Sequence, residues 1–480
     1  MTSFVLSRFP VPQTVFDDID ARLSRLPPEP RRFLLHVLAS NVLNFHKIDR
    51  HDLYGWLDLA IELPCQWVEE HFGRHFDPST IPPELLSIVP YSTTAHRCRS
   101  FRAADLLLLP LLEWAPASTL AASQIPLVNL FTGEPHQPRK LKEWEDGIQC
   151  TKPIRDAVAS FSECPFNGAA LDAHLASLRD AVADAAPDKR LRAERRLRND
   201  LACAAIMRAG CAIGDDGLFS YRPEYRASYT GRIVEVGGGA QSCSKAMKVA
   251  LFDGVLDLRN YDLRAAQGYI LLQELEDAGL PHVWIEHFLA EAGAAQTRGT
   301  AIGMSKGAYK QCLYATIMGA PHACHWDPDA NAIFRAMLKE AERDERRAKE
   351  LTIAVHGALA PLKVEVDAWH EDLMTSPSCA RLDSSRKKVR TLLNACGLRF
   401  KLEGDAATIL ARKAAAFILQ GQEAAFIHKL TTLGAEHGYV PISNQHDGLV
   451  VIGEVPDAAV VEAANATGLR YPHLDQKPFL

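Results

Sequence analysis

The sequence predicts an α+β protein, and three observations predict it. Beyond about residue 225, strand signals and helix signals alternate. The helices fall between strands that are far apart in the chain, which suggests a small sheet built from distant segments. Ahead of residue 225, apolar residues recur at helical spacing in segments broken by prolines. A chain of 480 residues accommodates two to four domains, and 47% hydrophobic residues suffice for sizeable cores.

Taken in order, residues 1 to about 135 read as mostly helical. Arg31-Arg-Phe-Leu-Leu-His-Val-Leu38 and Leu53-Tyr-Gly-Trp-Leu-Asp-Leu-Ala-Ile61 carry the periodicity, and prolines at 81, 82, 90, 110, 116, 126, 135 and 138 cut the second half into short pieces. Asp17, Asp18 and Asp20 read as a solvated helix face. From about 140 to 225 the chain is again helical. Lys189, Arg190, Arg192, Arg195, Arg196 and Arg198 crowd one short helix there. They fit either a solvated face or a grip on phosphates. Further on, Val249–Phe252 and Val255–Leu258 read as strands, and Arg264–Glu276, Lys306–Met318 and Asp405–Leu430 as helices. Glu340–Glu350 mixes both charge signs and reads as an exposed helix with internal ion pairs.

Composition narrows the class. A charged fraction of 23% is ordinary for a soluble globular protein, and a net charge of −6 argues against a wholly basic nucleic-acid coat but not against a local basic channel. Eleven cysteines without a CxxC pair read as free thiols in a reducing cytosol. Pro321-His322-Ala-Cys324-His325 lacks evident further ligands and reads as a loop. The N-terminus shows no signal-peptide core. The apolar run Leu106–Leu112 is too short to span a bilayer.

The chemistry sits in three places. Val440–Ile452 reads as a β-hairpin with His446, Asp447 and Gly448 at its tip. Asp257 is expected to end a strand and precede a helix. Asp257 and Asp447 are therefore candidates to hold a pair of divalent metals in a phosphoryl-transfer site. Between them, Lys306, Lys310, Tyr314 and Met318 stand at i, i+4 steps on one helix face. Two ammonium groups there can neutralise a triphosphate, and the ring can stack on a base or sugar. Taken alone, that face reads as solvated lysines beside a core aromatic.

These segments resemble the family A DNA polymerases and, more distantly, the phage-type single-subunit RNA polymerases. Leu256-Asp257-Leu-Arg-Asn-Tyr-Asp262-Leu-Arg264-Ala-Ala looks like the family's first palm motif, Lys306–Gly319 like its O-helix, and Gln445-His446-Asp447-Gly448 like its third motif. Tyr229-Thr-Gly-Arg232 with Gln241 is similar to the TGR…Q segment, and Arg412 with Leu419-Gln420-Gly421 to the Arg…QG helix. The five matches keep the family's order and closely similar spacings over about residues 225–452. The resemblance implies a right-hand architecture. Residues 1–138 would form an N-terminal domain of undefined role, 139–225 a thumb-like region that includes the basic helix, and 226–275 the first part of the palm. Residues 276–400 would form fingers and inserted helices, and 401–480 the second part of the palm.

By that resemblance, Asp257 and Asp447 would hold two Mg2+ ions, with Mn2+ as a substitute, and Lys310 would contact the triphosphate and assist catalysis. Lys306, standing where the family has arginine, Tyr314, Asp262, Met318 and His287 would line the nucleotide site. Arg232, Gln241, Arg412, Gln420 and His446 would face primer and template. The partners implied are nucleic acid, nucleoside triphosphates and a protein partner for the N-terminal domain, in a soluble, cytoplasmic replication enzyme without a 3′–5′ exonuclease. The departures are Asp262 for glutamate, Met318 for tyrosine and Gly448 for an acid. They leave three readings: a DNA polymerase, an RNA polymerase or primase-like enzyme using NTPs, and a polymerase-like nucleic-acid scaffold without activity.

Overall fold

Four strands gathered from distant parts of the chain form the sheet that carries the acidic residues. The structure is a computed structural model. It describes residues 9–42, 61–63, 65–89, 99–113, 125–135, 151–209, 211–236, 238–328, 331–375, 380–382, 388–403 and 407–478. The strand order is Val440–Asn444, Gly448–Ile452, Leu258–Leu263, Leu474–Lys477, and every pairing is antiparallel. Leu258 lies opposite Ile452, and Asp262 lies opposite Gly448 on one side and Asp475 on the other. Both faces of this sheet are covered. Tyr261, Leu263, Leu449 and Val451 enter a large core, while Ile442 and Val450 enter a smaller one.

The large core is mostly helical. Lys306–Ile317 starts on Ser305, whose hydroxyl accepts from the Ala308 N–H at 3.3 Å. Ala407–Thr432 buries Leu419, Phe426 and Leu430 along one stripe and Ala414 and Phe417 on the other side, and it packs against Lys152–Ser160, Ala266–Asp277 and Glu345–Thr375. The smaller core joins the sheet to the helices Gly168–Ala183 and Pro187–Arg208. A third core belongs to the N-terminal region, where Phe33 meets Phe72, Phe76 and Phe101 edge-on or tilted, with centroids 5.1–5.2 Å apart.

The structure corrects several expected elements. Val249–Phe252 is not a strand. Lys245–Leu251 is a helix, capped by the Ser244 hydroxyl accepting from the Met247 N–H at 3.1 Å, with Met247 and Leu251 buried one turn apart. A four-residue apolar run has no period of its own, and the serine cap decides it. Glu340–Glu350 is broken at Glu342 and Arg343, both in the left-handed region, so it forms the corner between Ala332–Glu340 and Glu345–Thr375. The N-terminal region adds a three-stranded antiparallel sheet of Ile61–Leu63, Arg99–Ala103 and Leu86–Val89 to its helices. Strands of three to five residues show too few alternations to be read. The helix expected over 53–60 and the boundary at 138–139 lie outside the described residues. Pro321–His325 is a loop as expected, and the eight described cysteines are free thiols. Among the described residues no helix is long and apolar enough to cross a membrane.

The large core offers a direct check. Phe426 is fully buried, so Phe426→Ala should lower the stability of the unit containing the sheet by about 3–5 kcal/mol, read from the urea midpoint.

Candidate active site

The hairpin tip is shaped by backbone hydrogen bonds. Gln445 N–H donates to Gly448 O at 2.9 Å, and Leu263 N–H donates to Asp447 O at 2.9 Å. The second bond fastens Asp447 to the end of the Leu258–Leu263 strand, beside Asp262. His446 takes a left-handed conformation, φ +70°, and its N–H donates to Asn444 Oδ1 at 2.8 Å. Gly448 is required by close approach. A Cβ there would lie 2.3 Å from Tyr261 O. The pairing that brings Asp262 and Asp447 together thus leaves no room for an acidic side chain at 448.

A buried polar network stands behind the tip. Gln241 is 5% exposed, and its amide is fully used: Oε1 accepts from Glu235 N–H at 2.7 Å, while Nε2 donates to Ile233 O at 3.2 Å and Asn444 Oδ1 at 3.0 Å. Asn444 Oδ1 in turn holds His446. Glu235 accepts from Tyr221 Oη at 2.7 Å and Gln241 N–H at 3.0 Å, and burial pushes its carboxyl up to about 7. Lys248 donates to Gln445 Oε1 and to Gln241 O, the latter at 3.1 Å. Gln241 was expected to face primer and template. Buried and saturated as it is, it cannot do so, and it supports the hairpin instead.

The Thr230-Gly231-Arg232 segment is pinned to the Ala407–Thr432 helix. Asn394 Nδ2 donates to Thr230 O at 2.8 Å, and the His428 ring meets Gly231 O at 2.9 Å. Burial pushes His428 down to about 4, so it is neutral and donates from Nε2. Arg232 places Nε and Nη2 on Glu423 Oε1, at 2.7 and 2.5 Å. Glu423 has no exposed surface. Burial raises its carboxyl to about 7 against the pull of Arg232, and the negative charge of Asp447 adds to the rise. Glu423 Oε2 makes no well-formed hydrogen bond, although the Gln267 amide is close enough to stabilise the charged form.

Across the pocket stands the Lys306–Ile317 helix. Ala308, Tyr309, Cys312, Leu313, Thr316 and Ile317 are buried. Lys306 and Lys310 are exposed and Tyr314 is half-buried, so the expected face is the open one. Tyr314 feels both Asp447 and Glu423. Burial raises its phenol first, and those two charges raise it further. Burial likewise lowers His446, which also feels Arg232 and Asp447. Tyr314, Asp447, His446, Arg232 and Glu423 are therefore near enough to one another for their charges to interact. Lys310 and Lys306 lead away from it at successive turns of about 5.4 Å.

The remaining expected residues fall elsewhere. Val255–Asp257, expected as strand, is not strand, and Asp257 lies in the turn before the Leu258–Leu263 strand rather than at the end of one. It takes a left-handed φ of +50°, its carbonyl accepts from Gly453 N–H at 3.0 Å, and its side chain is 60% exposed beside Arg259 at 3.5 Å. Asp447 lies at the opposite end of that strand, roughly 20 Å away at about 3.3 Å per residue. The expected metal pair of Asp257 with Asp447 is therefore not formed. The acid that the register sets next to Asp447 is Asp262, which carries an ion pair with Lys477. Met318 caps the helix end half-buried, and the stem of Arg412 packs with His370 against Gly319. Gln420 is half-buried. His287 is exposed on Val283–Ala290, which packs on the Lys306–Ile317 helix through Phe288 and Tyr309. Sequence reasoning missed Glu423, although a signal was present. Leu419, Phe426 and Leu430 mark the buried stripe, and Glu423 stands on it one turn after Leu419.

No family model matches the chain, and no curated protein matches it. Among solved structures it is similar to the POL domain of Pol1 from M. smegmatis, in complex with DNA primer-template and dNTP. The identity is 12%, over 68% of this chain and 69% of that chain, with a TM-score of 0.48.

Two outcomes follow from the site's construction. Gly448→Ala should destabilise the hairpin pairing by about 1–3 kcal/mol in thermal or urea denaturation, because the methyl group meets the Tyr261 carbonyl. Glu235, held near 7, keeps a proton that the unfolded chain releases at ordinary carboxylate pH. Stability therefore falls as pH rises from about 4.5 to 7. Glu235→Gln removes that slope, so its Tm relative to the natural chain should climb steadily between pH 5 and 8. A pH-independent gap would show that the carboxyl is ionised throughout.

Proposed function

We propose that this chain is a template-directed nucleotidyltransferase that joins a nucleoside triphosphate to a 3′-hydroxyl, with DNA synthesis as the leading reading. The observation that carries it is the register of Leu258–Leu263 on Gly448–Ile452. That register brings the backbone of Asp447 to the end of the strand that carries Asp262, and Tyr314 on the Lys306–Ile317 helix is near enough to Asp447 to feel its charge, which supports the reading. The five sequence motifs supply the same order of parts, and the one that shifts is the first acid, from Asp257 to Asp262.

Asp262 and Asp447 offer hard carboxylate oxygens, the donor type that Mg2+ takes together with water and phosphate oxygens. Asp262 is paired with the Lys477 ammonium, which would give up that oxygen to a bound metal ion. When bound, Mg2+ lowers the pKa of the attacking hydroxyl and stabilises charge on the phosphoryl oxygens. The chain's own groups do the rest. Lys310 and Lys306 neutralise the triphosphate, Tyr314 lies against its sugar or base, and Arg232 and His446 face the end of the growing strand. The N-terminal region is read as a docking or template-binding module, with no 3′–5′ exonuclease.

A second reading, an RNA polymerase or primase-like enzyme, is favoured by one feature. Asp262 beside Asp447 is no longer available as a barrier to the 2′-hydroxyl, so the lean toward deoxynucleotides weakens.

Primer extension with Mg2+ tests the proposal, with dNTPs and NTPs offered separately on DNA and RNA templates. Asp262→Asn and Asp447→Asn should each cut incorporation by on the order of 100-fold or more. Asp257→Asn should leave it near the natural level. Undiminished incorporation in Asp262→Asn would falsify the assignment.

A further inference from the structure

We infer that Lys477 is an internal counter-cation that competes with metal for Asp262, so that the C-terminal strand sets how tightly the site takes metal. This inference rests on the nucleotidyltransferase reading above. The register places the pair. Tyr261 and Leu263 turn into the large core, so Asn260 and Asp262 turn to the opposite face of the sheet. On the neighbouring strand Asp475 lies directly opposite Asp262, and Lys477 lies opposite Asn260. On its other side Asp262 faces Gly448, which has no side chain. Asp262 thus stands across from a like charge, an arrangement that is destabilising unless each acid has a cation.

Each acid has one on the diagonal, and the two cations are held differently. Arg264 lays its fork on Asp475, with Nε donating to Oδ2 at 2.8 Å and Nη2 to Oδ1 at 2.5 Å. Both oxygens of Asp475 are engaged, and the Arg264 backbone is fixed as well, its N–H donating to His473 O at 2.8 Å. A bidentate contact of this kind is strong and directional. Lys477 reaches across from its place opposite Asn260 and donates its ammonium to a single oxygen, Oδ2 of Asp262. Its side chain is 46% exposed, against 25% for Asp262. A lysine pair that open to water contributes little, and its ammonium is readily rehydrated on a flexible stem. The sheet therefore carries one fixed cation and one releasable cation. The releasable one sits on the acid assigned to metal. A lysine there offsets the repulsion between Asp262 and Asp475 and still yields to a divalent ion, which an arginine fork would resist.

The test is Mn2+ binding to the full chain without nucleotide, followed by the EPR signal of free Mn2+. Lys477→Gln should bind Mn2+ about two- to fivefold more tightly, the effect of releasing a partly exposed ion pair. Lys477→Ala should match it, which separates loss of the charge from anything the glutamine amide adds. The decisive arm is Lys477→Arg. It keeps the charge and adds a fork, so it should bind Mn2+ no more tightly than the natural chain. Asp262→Asn locates the ion and should weaken binding by about 10-fold or more. Natural or weaker affinity in either Lys477→Gln or Lys477→Ala, or equal tightening in Lys477→Arg, overturns the inference. With Asp262→Asn weakened, the enzymatic reading then stands. Natural Mn2+ affinity in Asp262→Asn overturns the metal-site reading itself, and this inference with it.

Discussion

One strand pairing governs the rest of the molecule. Leu258–Leu263 and Gly448–Ile452 come from positions almost two hundred residues apart, and their antiparallel register decides which carboxylates can meet. Register in a sheet covered on both faces is strongly specified, because a one-residue slip turns every side chain to the other face. Here a slip would send Tyr261 and Leu263 toward the smaller core, and Val450 toward the larger one. Gly448 adds a steric reason at the tip, where the backbones approach too closely for any Cβ. Function and fold thus share a single determinant.

Around that pairing the chain places charges in layers. The exposed ammonium groups of Lys306 and Lys310 stand on the open helix face, where solvation costs are small. Asp447 and Tyr314 occupy the half-buried middle. Glu235, Glu423 and Gln241 lie deeper, each tied to a partner of the hairpin or of the Thr230–Arg232 segment, and the half-buried Lys248 reaches Gln241 O. Burial dominates the titration of the deep carboxyls, which is why Glu235 and Glu423 rise to about 7 although each accepts hydrogen bonds. The depth of a group, rather than its nearest neighbour alone, sets its charge state.

Much of this was legible in the sequence, and what was not has identifiable causes. The Lys306–Ile317 and Ala407–Thr432 helices were read nearly to their ends, since both have long apolar periods and one has a serine cap. The hairpin was read from its turn and its β-branched flanks. The first acid falls elsewhere because Val255–Leu258 is apolar enough to pass for strand. With the strand set too early, Asp257 seemed to close it and Asp262 seemed to lie beyond it. Only the cross-strand partner, hundreds of residues away, shows that the strand runs to Leu263. Gln241 was misread for a related reason. Its likeness to the TGR…Q segment points to primer and template, whereas its burial depends on Glu235 and Asn444, neither of which is part of that pattern. The ion pair of Lys477 with Asp262 and that of Arg232 with Glu423 depend on long-range placement and leave no local pattern.

The covering of the central sheet on both faces has a dynamic consequence. Amide groups open to solvent according to what must come apart to expose them. To free the N–H groups of Tyr261 or Val450, helices on one side or the other must leave the sheet. The slab bearing Asp262 and Asp447 should therefore exchange more slowly than the exposed Asp257 turn.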